Sequence, residues 1–264
     1  MFKNFLLSLL IALSAQLAWA AGKVESVIGS AQAIPLQGTA GPVVVNQIVD
    51  TGTTITTGDG AQVVLRFDDG HVIALAEKSE FTIQSYRYDK AKPESGNIVF
   101  SILKGALRSV TGLIGRSKPD NFALRAPQAT IGIRGTDFMV SLVNPLYAFV
   151  NQSSAPIYVQ NGGGFLQVPP GSYVTVASAT TPATLITAAQ LPAAVATTFS
   201  NLGALPLGTV VGAGGTATGA TATSAGVGGL STAAIVGIAA GVAAVVSVTT
   251  SKDDGATTTT VTHH

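Results

Sequence analysis

The sequence predicts an all-β fold, and three observations point that way. Short runs alternate apolar with polar side chains, turn signals rich in Gly, Pro and Asp separate them, and no long amphipathic helical repeat is present. The expected architecture is a compact β-roll or solenoid-like domain, or a sandwich, followed by a low-complexity tail.

Lys3 and the free amine precede an apolar run over residues 5–13 that is too short to span a bilayer. Ala18, Trp19 and Ala20 then place small residues where a signal peptidase reads them. A signal peptide over 1–20, cleaved before Ala21, is therefore expected. The competing reading is an uncleaved N-terminal anchor.

The β domain is expected over 21–177. Residues 62–67 alternate, with Val63, Leu65 and Phe67 on one face and Gln62, Val64 and Arg66 on the other, the pattern of a half-buried strand. Asp68, Asp69 and Gly70 form the turn that follows, because glycine supplies the positive φ a tight hairpin needs. A second strand over 71–75 completes the hairpin. Further short runs at 81–88, 98–104, 106–111, 122–125, 129–133 and 136–143 read as strands, with turn signals at 57–60, 92–96 and 118–120. Strands at 157–160, 165–168 and 173–177 close the domain.

From residue 178 to 230 the composition turns to Ala, Thr, Gly and Pro with few aromatics, which predicts a flexible linker. The apolar, Gly/Ala-rich segment 231–250 contains Gly237 and Gly241 in a GxxxG pair. It reads either as a membrane helix that associates the chain with a bilayer or as self-packing low-complexity sequence. Residues 251–264 are a polar tail, and no role is assigned to His263 and His264.

Charge divides the chain more sharply than hydropathy. The 14 basic and 13 acidic side chains lie, apart from Lys3, between Lys23 and Asp137 or at Lys252, Asp253 and Asp254. Nothing from Phe138 to Ser251 is charged, so that stretch must be covered, membrane-associated, self-associating or unfolded. Removal of Lys3 with the leader leaves 13 charges of each sign, which offers nucleic acid no electrostatic footprint. Without cysteine there is no disulfide framework and no thiolate metal site.

No catalytic motif is found: no G-x-S-x-G elbow, no H-E-x-x-H helix and no P-loop. The glycines at 212–215 lack the third required glycine and a βαβ setting. His71 alone of the three histidines falls inside the expected fold, and it reads as a structural residue. Asp59, Asp68 and Asp69 invite a calcium reading, but their spacing fits no known loop and turn chemistry explains the last two. Glu77 and Glu80 read as surface salt-bridge partners in preference to a catalytic pair acting on cell-wall polymer. No enzyme activity, cofactor or metal is expected.

The most distinctive string runs from Ile133 to Phe138. Arg134 and Asp137 bracket Gly135 and Thr136, which predicts either a binding corner or a structural one, with an Arg134 fork tying loop carbonyls or a carboxylate. The structural reading is the favoured one.

Five separated strings then point to a family. Asp50-Thr51-Gly52-Thr53-Thr54-Ile55-Thr56-Thr57-Gly58, Val64-Leu65-Arg66-Phe67-Asp68-Asp69-Gly70, Phe81-Thr82-Ile83, Leu103-Lys104-Gly105-Ala106-Leu107 and Ile133-Arg134-Gly135-Thr136-Asp137-Phe138 follow in an order that resembles the FecR domain. The resemblance covers residues 22–143, extending to 177 if the later strands belong. It implies a β-rich extracytoplasmic domain, which in the best-known members senses an outer-membrane transporter and relays the signal to a cytoplasmic sigma factor in iron uptake. Those regulators carry a sigma-binding segment and a membrane helix ahead of the domain, where a signal peptide is expected here. The resemblance thus implies a periplasmic or surface protein-interaction module with an envelope protein as partner and iron-linked regulation as an inherited association. The second reading is a structural or surface-display protein whose tail drives anchoring or self-association.

Overall fold

The computed structural model describes residues 20–207. The expected signal peptide up to residue 19, the part of the expected linker from 208 on, the apolar segment 231–250 and the polar tail 251–264 lie outside the described residues. Seventeen strands form one hydrogen-bonded network folded into two layers. They are β1 (Ala20–Ile28), β2 (Ala31–Ile34), β3 (Gly41–Pro42), β4 (Ile48–Asp50), β5 (Thr54–Thr57), β6 (Gln62–Phe67), β7 (Val72–Leu75), β8 (Glu80–Arg87) and β9 (Asn97–Val110). There follow β10 (Phe122–Arg125), β11 (Thr130–Ile133), β12 (Asp137–Leu142), β13 (Leu146–Val150), β14 (Ile157–Asn161), β15 (Gly164–Val168), β16 (Tyr173–Val176) and β17 (Thr184–Ile186). Two helices accompany them, α1 (Leu113–Ser117) and α2 (Ala193–Gly203).

Sheet I runs β4-β1-β6-β7-β9-β12-β13-β16-β17. Sheet II runs β3-β2-β5-β8-β9-β10-β11-β14-β15. All pairings are antiparallel except β9 with β10. After β9, hairpins are added alternately to the two sheets, which gives a sandwich that grows by winding back and forth. The all-β expectation holds, and the strands expected between residues 62 and 177 lie within a few residues of observed ones, whereas the alternation does not anticipate β1–β5, β13 or β17.

Strand β9 belongs to both sheets. Its first part, up to Lys104, pairs with β8, and from Gly105 onward it pairs with β7 and β12. The expected pair of strands at 98–104 and 106–111 is therefore one strand bent at Gly105. Gly105 has φ +83°, and a β-carbon there would overlap the Cα and Oγ of Ser79. Buried Ser79 clasps the bend: its Oγ accepts from the Ala106 amide and donates to the Ala106 carbonyl, both at 3.0 Å.

The core lies between the sheets, where the alternation of the sequence places Val63, Leu65 and Phe67 of β6. Phe100 is at its centre, with ring centroids of Phe67, Phe81 and His71 at 4.8, 5.1 and 5.4 Å. Burying one such aromatic side chain fully contributes about 2–3 kcal/mol.

Two expectations are corrected here. The alternation places Val64 on the wetted face of a half-buried strand, yet it is buried. The reason is α2, which covers the outer face of sheet I. Val195, Phe199 and Leu202, spaced four and three residues apart on one helical face, pack on Val64, Val72, Ala74, Ala106, Met139 and Tyr147. The predicted flexible linker thus does not start at residue 178: β17 and α2 pack on the domain as far as Leu207. Composition misled because a helix with three large apolar anchors suffices where the facing sheet is already apolar and presents small Ala74 and Ala106.

Candidate functional site

The turn between β6 and β7 forms as expected, with Gly70 at φ +81°. Asp68 is exposed, whereas Asp69 is buried. Asp69 Oδ1 accepts from the His71 amide at 3.1 Å and from the Tyr86 hydroxyl at 3.1 Å. Its Oδ2 accepts from the Ile114 amide at 3.3 Å, and its carbonyl from the Leu113 amide at 2.8 Å. The turn therefore anchors the start of α1. Burial raises the Asp69 carboxyl above its ordinary range, and the hydrogen bonds from His71, Ile114 and Tyr86 partly offset that. Burial likewise raises the Tyr86 phenol.

His71 lies wholly in the core, stacked on Phe122 at 5.3 Å. Its Nδ1 accepts from the Gly112 amide at 3.4 Å, which leaves Nε2 to carry the proton and donate to Ser109 Oγ at 2.9 Å. Burial lowers its pKa to about 3, so the ring is neutral. A Ser, a His and an Asp are thus neighbours, but Asp69 holds the His71 backbone and not its ring. That arrangement lacks the base-orienting bond of a nucleophilic triad, and both His71 and Ser109 are sealed from solvent.

Asp59, Glu77 and Glu80 take separate partners. Asp59 pairs with Lys78 at 2.8 Å and Glu80 with Lys104 at 3.3 Å, while Glu77 accepts from the Gly60 amide at 2.7 Å. Among the described residues, no three His, Asp or Glu side chains are placed to share a metal ion.

At the Arg134 corner the structure keeps the idea of an arginine fork and changes the arginine. Gly135 sits at φ +84°, and Arg134 is exposed. Asp137 is held instead by Arg108, with Nε to Oδ1 at 2.9 Å and Nη2 to Oδ2 at 2.7 Å. Register explains it: Arg108 lies opposite Met139, so its side chain shares a face with Asp137 two residues away. Nothing in the local sequence signals this pairing, because the two residues are brought together by strand register. Thr136 is the buried hub of the corner, its amide donating to Thr111 Oγ1 at 2.9 Å and its hydroxyl to the Pro156 carbonyl at 3.1 Å.

Beside this corner, the outer face of sheet II carries a groove of about 420 Å³ lined by Asp120, Thr130, Gly132, Arg134, Tyr158 and Phe165, among others. Tyr158 and Phe165 stack at 5.5 Å with their planes 22° apart, and Phe165 is 64% exposed. Gly132 lies opposite Tyr158 in the register of β11 and β14, and so leaves the ring an open floor. Sequence reasoning missed this shelf, since the two aromatics sit on different strands in an uncharged stretch.

Residues 53–159 match the FecR protein family. The chain carries a FecR domain. The match takes in β5 to β13 and ends within β14, so the buried turn, the bent β9 and the Thr136 corner all lie within the matched residues. Two crystal structures of a candidate anti-sigma factor from Parabacteroides distasonis are similar at 14% identity, with TM-scores of 0.39 and 0.40. Each likeness covers 50% of this chain and 58% of the other, so the chain spans little more than half the length of those proteins. A cell surface anchoring domain is similar at 23% identity and TM-score 0.22, over 23% of this chain and 80% of that one. No curated protein matches the sequence. Among the described residues, no helix is long and apolar enough to cross a membrane.

Proposed function

We propose that this chain is an exported, non-catalytic regulatory module of the cell envelope that recognises another envelope protein through the outer face of sheet II. The FecR match over residues 53–159 carries this reading. The groove at Arg134, Tyr158 and Phe165 supports the choice of face, because it joins an exposed aromatic shelf to a cation and a carboxylate, the composition of a protein-recognition patch. The sealing of His71 and Ser109 in the core supports a non-catalytic role. Export rests on the leader-like pattern from Lys3 to Ala20. Iron-uptake regulation is the finer form of the proposal and rests on family membership alone.

The test is capture from envelope extracts with the mature chain as bait, comparing wild type with the double variant Arg134→Glu/Tyr158→Ala. Loss of a specific partner with an unchanged melting temperature is the expected result. A partner retained by the double variant would overturn the assigned face, and recovery from the cytosol with Met1 intact would overturn export.

A further inference from the structure

The four sheet edges are unequal. In sheet II, β3 has two residues, one of them Pro42, and in sheet I both β4 and β17 have three. Such short or proline-bearing edges resist pairing with another chain. Strand β15 is different: five residues, Gly164–Val168, with no proline and no charge. Among the described residues it pairs with β14 on one side alone.

The loop joining β14 to β15 consists of Gly162 and Gly163, so Asn161 and Gly164 close the hairpin as a hydrogen-bonded pair. Alternation then turns the backbone amide and carbonyl groups of Phe165 and Gln167 away from β14. Both residues are exposed, and Leu166 between them is partly buried against the core. Among the described residues this is a strand edge whose outward backbone groups take no partner, with one wetted face and one apolar face.

We infer that β15 is a self-association edge, where a second copy of this chain adds its own β15 in antiparallel register centred on Leu166. Charge selects this occupant. From Phe138 to Leu207 the chain has no ionisable Asp, Glu, Lys, Arg or His side chain, so two copies meet without like-charge repulsion, whereas a charged partner segment finds no counter-charge on the strand. In this register Phe165 of each copy exchanges backbone hydrogen bonds with Gln167 of the other. Leu166 meets Leu166 across the two-fold axis on the apolar side, and the Tyr158–Phe165 shelf becomes continuous across the dimer. The edge shares Phe165 with the proposed partner-binding shelf but not Arg134, so Gln167→Pro reports on the dimer, Arg134→Glu reports on the partner face, and either can fail while the other stands.

Light scattering of the mature full chain over a concentration series tests it. A mass approaching twice the monomer is expected on concentration. Gln167→Pro removes an amide that β14 does not use, and should weaken the dimer by roughly tenfold or more, with melting unchanged. Phe165→Lys should do the same by bringing like charges to the axis, and guards against a backbone effect of proline. Arg134→Glu should leave the dimer intact. A monomer at every concentration, or a dimer indifferent to both edge variants, would overturn the inference.

Discussion

Arg108 on β9 and Asp137 on β12 form a two-point ion pair, and the same guanidinium caps the end of α2. Its Nη1 reaches the carbonyls of Leu202 and Gly203 at 3.1 Å and that of Leu205 at 3.3 Å. A cation at a helix C-terminus meets the negative end of the helix dipole and satisfies carbonyls left without intrahelical partners. One side chain therefore ties the FecR corner to the helix that covers sheet I.

Arg108→Ala should then loosen α2 specifically. Both side chains are largely buried, at 12% and 18% exposure, so the loss should cost about 2 kcal/mol, below the range for fully buried pairs. Amide hydrogen exchange should show faster exchange across Ala193–Gly203 while β6 and β7 remain protected. Uniform destabilisation without this local signature would contradict the latch.

Arg134→Ala should behave oppositely. Arg134 is exposed and Asp137 belongs to Arg108, so chemical denaturation should place the variant within about 0.5 kcal/mol of wild type. Thr136→Val, which strips the corner of its buried hydroxyl, should cost roughly 1–3 kcal/mol in the same measurement.

His71 predicts an acid-side dependence of stability. Its folded pKa of about 3 lies below the ordinary value of 6.5, so between those values the unfolded chain binds the additional proton. The contribution is fully present above pH 6.5 and is lost as pH falls toward 3, with a slope of up to about 1.4 kcal/mol per pH unit. Asp69, raised by burial, acts in the other direction as pH climbs past its unfolded value of 3.8. Urea titrations at pH 7 and pH 5 should show wild type losing stability relative to His71→Gln. Parallel curves would refute a buried neutral imidazole.

Gly105→Ala should be among the costly small substitutions. It adds a β-carbon where Ser79 already sits and strains a residue at positive φ, for a loss of about 2 kcal/mol or more, read as a lowered melting temperature.

Phe100→Ala should cost roughly 3–5 kcal/mol by urea denaturation, because four aromatic rings surround Phe100 and cannot close the cavity.

Much of the fold was legible in the linear pattern, and the reason is that side chains alternate across a strand with period two. Val63, Leu65 and Phe67 face the core as their spacing requires, and Asp69-Gly70 turns where glycine can take a positive φ. Less of the candidate site could be read. Arg134 and Asp137 are neighbours in sequence but not partners, and Arg108 reaches Asp137 through a register set by Val110 opposite Asp137. The Tyr158–Phe165 shelf likewise exists only because β14 and β15 pair.

The sequence by itself determined most strands from β6 onward, the turns between them and the resemblance to the FecR domain, since each is encoded by residues close together along the chain. Tertiary structure alone decided that β9 serves both sheets, that an uncharged Ala/Thr-rich stretch folds as α2 on sheet I, and that Arg108 and not Arg134 holds the corner. Those outcomes depend on which surfaces meet after the chain has turned back on itself, and neither local propensity nor periodicity carries that information.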